Sequence, residues 1–447
     1  MIQDTRIRKL NKVPAVGGDF VVYWMQKAQR ATDNHALEFA VEQANRLKQP
    51  LFVFFFLFPG YPEASARHYT FMLQGLEETR RDLADRGIPL VLRFGFPPDE
   101  LARAAGNASL VVTDRGYLDI HRDWRRRAAE ILPSPLIQVE TDAVVPVETA
   151  YHKEAYSAAV IRPRIMRLLF AYLVPCAPRD LKYPAREVEF ETCGGIDPEA
   201  LVSSLGIDQG IPAVSSLTGG PRRAAEKLGR FIEEDLDRFD EDRNDPGKSC
   251  SSGLSPYIHF GQMSPLTAAL AVSGVKSPGS ERFLEELIVR RELAVNFCEY
   301  NRHYSSFAAL PDWAGRTLAR HAGDLREYVY SFEDLETGHT HDRYWNAAQK
   351  ELSLTGGMHG YMRMYWGKKI LQWSSSPREA FSTALKLNNR YALDGRDPNS
   401  YAGIAWCFGK HDRPWKEREI FGSVRYMNDK GLERKFDMQA YIRKVEH

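Results

Sequence analysis

Short apolar blocks alternate with stretches of helical period through the first third of the chain. DFVVYW (19–24), LFVFFFLF (51–58), PLVLRF (89–94), SLVVTD (109–114) and LIQVE (136–140) read as strands. LFVFFFLF is apolar at every position, the pattern of a strand covered on both faces. Helical patterns separate the strands at about 32–47, 65–85, 98–105 and 118–131, with Thr32 or Asp33 as the first N-cap. Five strands alternating with helices predict an α/β domain built on a parallel, doubly wound, Rossmann-like sheet with right-handed crossovers.

From about 176 to 221 periodicity fades and Pro, Gly and Ser cluster, the pattern of an interdomain linker. Beyond it strand signals almost vanish. Helical patterns recur at 222–239, 264–273, 280–299, 316–331, 344–352, 360–373 and 377–387. The predicted organisation is therefore an α/β domain over 1–175, a linker over 176–221 and an all-α domain over 222–447.

Composition adds exclusions. The longest purely apolar run is eight residues, too short to span a bilayer, and the polar start MIQDTRIRKLNK is unlike a signal peptide. The five cysteines are scattered, odd in number and without CxxC, which suits reduced thiols in the cytosol or nucleus. Net charge is only +1 but uneven: residues 341–447 hold 19 Lys and Arg against 12 Asp and Glu, and the first 340 hold 41 against 47. A basic C-terminal region suits an anionic partner, or is solvated surface.

Several stretches could carry chemistry. No GxGxxG follows the first strand, so a dinucleotide site there has no support. NDPGKSCSSGLSPYIHFGQMS (244–264) sets Ser249, Ser251, Ser252 and Ser255 before a helical stretch, a phosphate cradle or a capping loop. ERFLEELIVRRELAVNFCEYN (281–301) carries Glu285, Glu286, Arg290, Arg291 and Glu292, which form solvated i,i+4 pairs unless one faces a cleft. LNNRYALDGRDPNSYAGIAWCF (387–408) packs Asn, Asp and Arg around a DG turn, dense enough for the edge of a cofactor rich in heteroatoms. His339, His341 and His359 lack the neighbouring ligands of a metal site, and no GxSxG elbow marks a serine nucleophile. Five of the eight tryptophans lie between 345 and 415. Trp366 and Trp373, seven residues apart, share one helix face, which by itself reads as core. Trp406 and Trp415 lie in a basic, turn-rich region where an indole beside arginines suits nucleic-acid bases as well as packing.

SGLSPYIHFGQMS, HGYMRMYWGKKILQW, LNNRYALDGRDPNSYAGIAW and HDRPWKEREIFGSVRYMN, in this order, resemble the class II cyclobutane pyrimidine dimer DNA photolyases. The resemblance runs from VVYWMQKAQRATDN (21–34) to KFDMQAYI, nearly the whole chain. It implies an N-terminal α/β domain and a helical domain holding FAD. It also implies light-driven electron transfer from reduced FADH⁻ to a dimer flipped out of UV-damaged DNA.

Position by position, the resemblance implies that the loop with Ser249, Ser251, Ser252, Leu254 and Ser255 holds the FAD phosphates. Asn388 lies beside flavin N5 and O4, and Arg363 pairs with Asp394 against the isoalloxazine. Trp366, Trp345 and Trp373 resemble the proximal, middle and distal members of an electron-transfer triad. Glu286 resembles the carboxylate that bonds the dimer, with Met364 and Trp406 lining its pocket. Arg243, Arg413, Trp415 and Arg425 face DNA. Arg290 stands where some members carry a Trp against the dimer. An antenna such as 8-hydroxy-5-deazaflavin accompanies the N-terminal domain in some relatives. A cryptochrome-like photoreceptor or a (6-4) photolyase would carry the same flavin and Trp chain, whereas a thermally driven flavin oxidoreductase finds no nicotinamide motif. The resemblance implies no metal, a monomer, no membrane, and a place in the cytoplasm at the nucleoid or in a nucleus.

Overall fold

The computed structural model describes residues 2–15, 17–185, 190 and 195–446. Among them six strands form one sheet: β1 (Ile7–Lys9), β2 (Phe20–Trp24), β3 (Leu51–Leu57), β4 (Leu90–Phe94), β5 (Ala108–Asp114) and β6 (Leu136–Val139). Their order is β1-β6-β5-β2-β3-β4. The five predicted strands are present and mutually parallel. The sixth, β1, pairs antiparallel with β6 at the edge. Three residues with no apolar alternation left it without a sequence signal.

The side-chain period of two divides the apolar run of β3 between two cores. Leu51, Val53, Phe55 and Leu57 pack on one face with Val21 and Tyr23 of β2. Phe52, Phe54 and Phe56 pack on the other with Val22 and Trp24. All seven β3 residues are buried, as expected for a central strand of a doubly wound sheet.

The first long helix is His35–Leu47, and its N-cap is Asn34 rather than Thr32 or Asp33. Asp33 takes a left-handed φ of 47° just before it. The Asn34 side chain accepts from Ala36 N and Leu37 N, both at 3.1 Å. Its amide donates to Tyr23 Oη (3.1 Å), Ala28 O (3.1 Å) and Arg30 O (3.2 Å). Asn34→Ala therefore removes a cap and strands buried acceptors. We expect a loss of ~2–4 kcal/mol, read as a lower urea midpoint.

The C-terminal half is helical. One core gathers Phe297, Trp345, Trp366, Trp373, Phe381 and Phe408. A second joins Phe231, Phe283 and Ile288 to Val144, Ala155, Ile161 and Ile165. The helix Ala158–Tyr172 thus packs with the helical half, ahead of the boundary at 175 that composition suggested. Within 176–221 a short helix, Pro198–Ser204, packs on the helix Ala66–Asp85 and places Val202 in the core, so part of the linker is ordered. The pattern at 316–331 resolves into Asp312–Arg320, a turn-rich stretch, and a separate helix Phe332–Thr337. Pro398–Cys407 is also a helix, started by Asp397 as N-cap and Pro398 in the first turn. No helix among the described residues is long and apolar enough to cross a membrane.

The helical pattern at 280–299 forms as Pro278–Tyr300, but with a widened, π-type turn over Glu285–Arg290. Such a turn inserts a residue into the helical period and re-aims the side chains around it.

Candidate functional site

The helix Gly360–Trp373 is capped by His359, whose Nδ1 accepts from Tyr361 N at 3.3 Å. Arg363 lies one turn before Trp366 on it. Its guanidinium donates to Asn388 Oδ1 at 3.0 Å and pairs with Asp394 at 3.5 Å. Asn388 is buried near the end of the adjoining helix, Pro377–Tyr391. Asp394 sits in the turn that follows, where Ser400 Oγ bonds its carbonyl. Three residues scattered over 31 positions thus meet as one polar group between helices.

The Ser-rich loop presents Ser249, Ser251 and Ser255 to solvent, while Leu254 is buried beneath it. Gly253 takes a φ of +59°, and a Cβ there would come within 2.5 Å of Lys227 Cε. The left-handed backbone there favours glycine, and the lysine end lies close beside it. Hydroxyls, an open glycine backbone and an ammonium group make a combination suited to phosphate oxygens. Sequence reading missed Lys227, because it lies 26 residues before the loop on a separate helix.

Trp345, Trp366 and Trp373 come together in the helical core, all essentially inaccessible to solvent. Trp345 and Trp366 stack with centroids 6.2 Å apart and planes within 4°. Trp345 and Trp373 meet edge-on at 5.8 Å. Trp345 is therefore the middle ring, although Trp366 and Trp373 share a helix. Trp373 does not itself reach the surface. Tyr330 (5.5 Å) and His341 (5.2 Å) form the next layer, joined by a 2.6 Å hydrogen bond between Tyr330 Oη and His341 Nδ1. The other two histidines have local partners: His359 is the cap above, and His339 Nδ1 lies 3.1 Å from Thr337 Oγ1.

Glu286, in the widened turn, pairs with Arg282 (2.8 Å) and Arg243 (3.3 Å). Neighbouring Glu285 pairs with Arg162 (2.6 Å) and Arg290 (3.4 Å). The Nε atoms of Arg243 and Arg282 are buried without a hydrogen-bond partner, so this cluster has donors to spare. Burial lowers the Arg243 guanidinium from its ordinary value, although Glu286 opposes the shift. Met364 and Trp406 lie partly exposed on neighbouring helices. Trp415 is 42% exposed, with Arg413 and Arg425 guanidinium carbons 5.6 Å and 5.0 Å from its ring centroid. Burial, with the charges of Lys410 and Arg290 nearby, holds the His411 imidazole down at about 4.

A second cavity opens above the C-terminal ends of β2 and β3. It has a volume of about 100 Å³ and walls that include Trp24, Phe56, Tyr61 and Trp124. Gln26, Gln29 and His121 also line it. Both amide atoms of Gln26, Gln29 Oε1 and His121 Nδ1 are buried with no hydrogen-bond partner among the described residues. Unsatisfied polar atoms in an aromatic cavity suit a ligand, or ordered water, with polar edges. Asp114, at the end of β5, holds the Gln26–Ala28 backbone by accepting from Gln26 N (2.8 Å), Lys27 N (2.6 Å) and Ala28 N (3.1 Å). Behind the cavity wall Asp397 binds the lining residues His259, at Nδ1 (3.2 Å), and Lys27 (3.4 Å), tying the α/β half to the helical half. Burial drives His259 down to about 4, while Lys27 and His259 keep the Asp397 carboxyl well below the usual range. No glycine fingerprint announces this cavity, and its lining is spread from residue 24 to 396.

The model of the DNA photolyase family matches residues 21–182. A deoxyribodipyrimidine photo-lyase of Methanothermobacter thermautotrophicus is 51% identical over 446 residues, covering 100% of this chain and 99% of that one. The chain belongs to the DNA photolyase family. A photo-lyase of Potorous tridactylus is 42% identical, covering 95% of this chain and 81% of its own length. Among solved photolyase structures, a bacterial class III enzyme from Agrobacterium tumefaciens superimposes with a TM-score of 0.74 at 20% identity, over 97% of this chain and 88% of that one. An archaeal photolyase from Sulfolobus tokodaii, solved with two FAD molecules, gives 0.72 at 16% identity, over 95% and 89%. At these identities the structural likeness speaks for the fold alone. The same two-domain architecture thus carries the Arg363 group, the indole chain and the second cavity of this photolyase.

Proposed function

We propose that this chain repairs cyclobutane pyrimidine dimers in DNA under blue light, with FAD bound in the helical domain. The photo-lyases that match its full length at 40–51% identity support the reaction. The convergence of Arg363, Asn388 and Asp394 beside Trp366 carries the reading of the site, since it unites the residues the family resemblance assigns to the flavin. Bound FAD supplies, in its reduced form, the electron that splits the dimer and is then returned.

The chain's own residues do the rest. The Ser249–Ser255 loop with Lys227 holds the phosphates. The Asn388 amide, oriented by Arg363, faces the flavin ring, and the Asp394 carboxylate balances the arginine charge. Glu286, braced by Arg282 and Arg243, presents a carboxylate to the flipped dimer, with Met364 and Trp406 as apolar walls. Arg290 takes the remaining side, and Arg413, Trp415 and Arg425 engage the strand around the lesion. Trp366, Trp345 and Trp373 conduct electrons inward when the flavin is oxidised. The decisive experiment compares loss of thymine dimers and of (6-4) lesions by reduced holoenzyme with blue light on and off. We expect light-dependent loss of dimers alone. Repair of neither lesion would favour a photoreceptor, and repair of (6-4) lesions a different class.

The second cavity supports an antenna chromophore of deazaflavin type. Its aromatic walls suit a flat heteroaromatic ring, and the unpaired Gln26 and His121 atoms suit the ring's polar edge. Titration with 8-hydroxy-5-deazaflavin is expected to show binding that Gln26→Leu weakens ~10–100-fold, the value of one or two buried hydrogen bonds. Direct repair through the flavin stays unchanged in that variant.

A further inference from the structure

The indole chain differs along its length in what its N–H groups meet. Trp366 Nε1 donates to Gln349 Oε1 at 2.9 Å. The Gln349 amide is itself fixed, because its Nε2 donates to Glu336 O at 3.0 Å, and the side chain is buried. Trp345 Nε1 donates to the Trp366 carbonyl at 3.0 Å. Both acceptors are neutral amide oxygens, which accept a hydrogen bond but are poor bases. Around Trp373 the surroundings change: a bonded Tyr330–His341 pair lies against it, and His341 is exposed. Lys369 also lies over Trp373, its Nζ 5.3 Å from the ring centroid, so the basic side chains in ring contact with the three indoles are at the outer end.

Oxidation turns an indole N–H into a much stronger acid. A base beside Trp366 would take that proton, leave a neutral radical and stop the charge at the inner end. We propose that Gln349 is a positioning residue for photoreduction: it holds the Trp366 indole proton on an acceptor that cannot take it. This rests on the reading above that the three indoles conduct. One electron leaves Trp366 for light-excited oxidised flavin, one from Trp345 refills it, and one from Trp373 refills Trp345. No proton moves at the first two rings. The single proton lost passes from the Trp373 indole nitrogen to the His341 imidazole packed against it, and an external thiol later returns a hydrogen atom to the ring, becoming a thiyl radical while the imidazolium gives its proton to solvent.

The test replaces Gln349 by two bases of similar size, Gln349→Glu and Gln349→His, in flavin-loaded protein. Transient absorption after a light pulse is expected to show a neutral radical trapped at Trp366, with the yield of stable photoreduction down ~10-fold or more, equivalent to ~1.4 kcal/mol or more. Repair by chemically pre-reduced protein stays at the wild-type level. A flavin-independent reading is hydrogen exchange at the Trp366 indole, followed by NMR with ¹⁵N-labelled tryptophan. It should be slow in wild type and at least ~10-fold faster in Gln349→Leu, as for loss of a hydrogen bond worth ~1.4 kcal/mol. If neither base traps a neutral radical while Trp366→Phe still blocks photoreduction, the role of Gln349 is overturned. Unchanged exchange in Gln349→Leu overturns it as well. If Trp366→Phe leaves photoreduction intact, the conduction reading beneath it fails instead.

Discussion

Trp366→Phe is expected to abolish photoreduction of the oxidised flavoprotein while sparing repair by protein reduced beforehand. Trp366 is one helical turn from the Arg363 group and stacks on Trp345, so in the proposed function it is the ring through which charge enters. Phenylalanine keeps the apolar bulk but is far harder to oxidise, leaving Trp345 to donate across the gap. Raising the barrier of one step by even ~3 kcal/mol slows it ~100-fold. The substitution also leaves Gln349 Oε1 unpaired in the core and opens space behind the smaller ring, a cost of ~2–4 kcal/mol. Circular dichroism and repair by the pre-reduced variant separate that cost from the electron-transfer defect. Photoreduction at the wild-type rate would remove Trp366 from the path.

The second large effect is expected at Glu286. Its carboxylate is half-exposed and held by Arg282 and Arg243, which fix its direction. A preorganised group aimed at a charge-bearing dimer counts most in the state where that charge exists. Glu286→Ala should therefore lower repair per absorbed photon by ~10–100-fold, the scale of one lost stabilising contact in an active site. Affinity for damaged DNA should change much less, and the two freed arginines should raise it slightly at low salt. Flash-induced repair and gel-shift affinity, measured on one preparation, check this. Equal losses in both would reduce Glu286 to a brace for its arginines.

Why Glu286 resisted assignment from periodicity is clear from the backbone. A helical wheel assumes 3.6 residues per turn, and the widened turn over Glu285–Arg290 breaks that phase where the carboxylates lie. Glu285 and Glu286 consequently serve different arginines. Trp373 gives a second case. A spacing of seven correctly placed it on the face of Trp366, yet the ring between them comes from another helix 21 residues earlier. Helix phase describes one element, and the order of the chain's three indoles depends on how two helices pack.

By itself the sequence determined the alternation of strands and helices, because burial on both faces of β2 to β6 demands apolar runs of strand length. It also determined the shift to an all-α second half and, through four ordered motifs, the family. Those signals are local, carried by neighbours along the chain. The tertiary structure alone decided what meets at a distance: Lys227 beside Gly253, Gln349 on the Trp366 indole, Asp397 between Lys27 and His259, and the unpaired amides in the second cavity. No local period encodes such contacts, because each joins elements whose separation in sequence is unrelated to their separation in space.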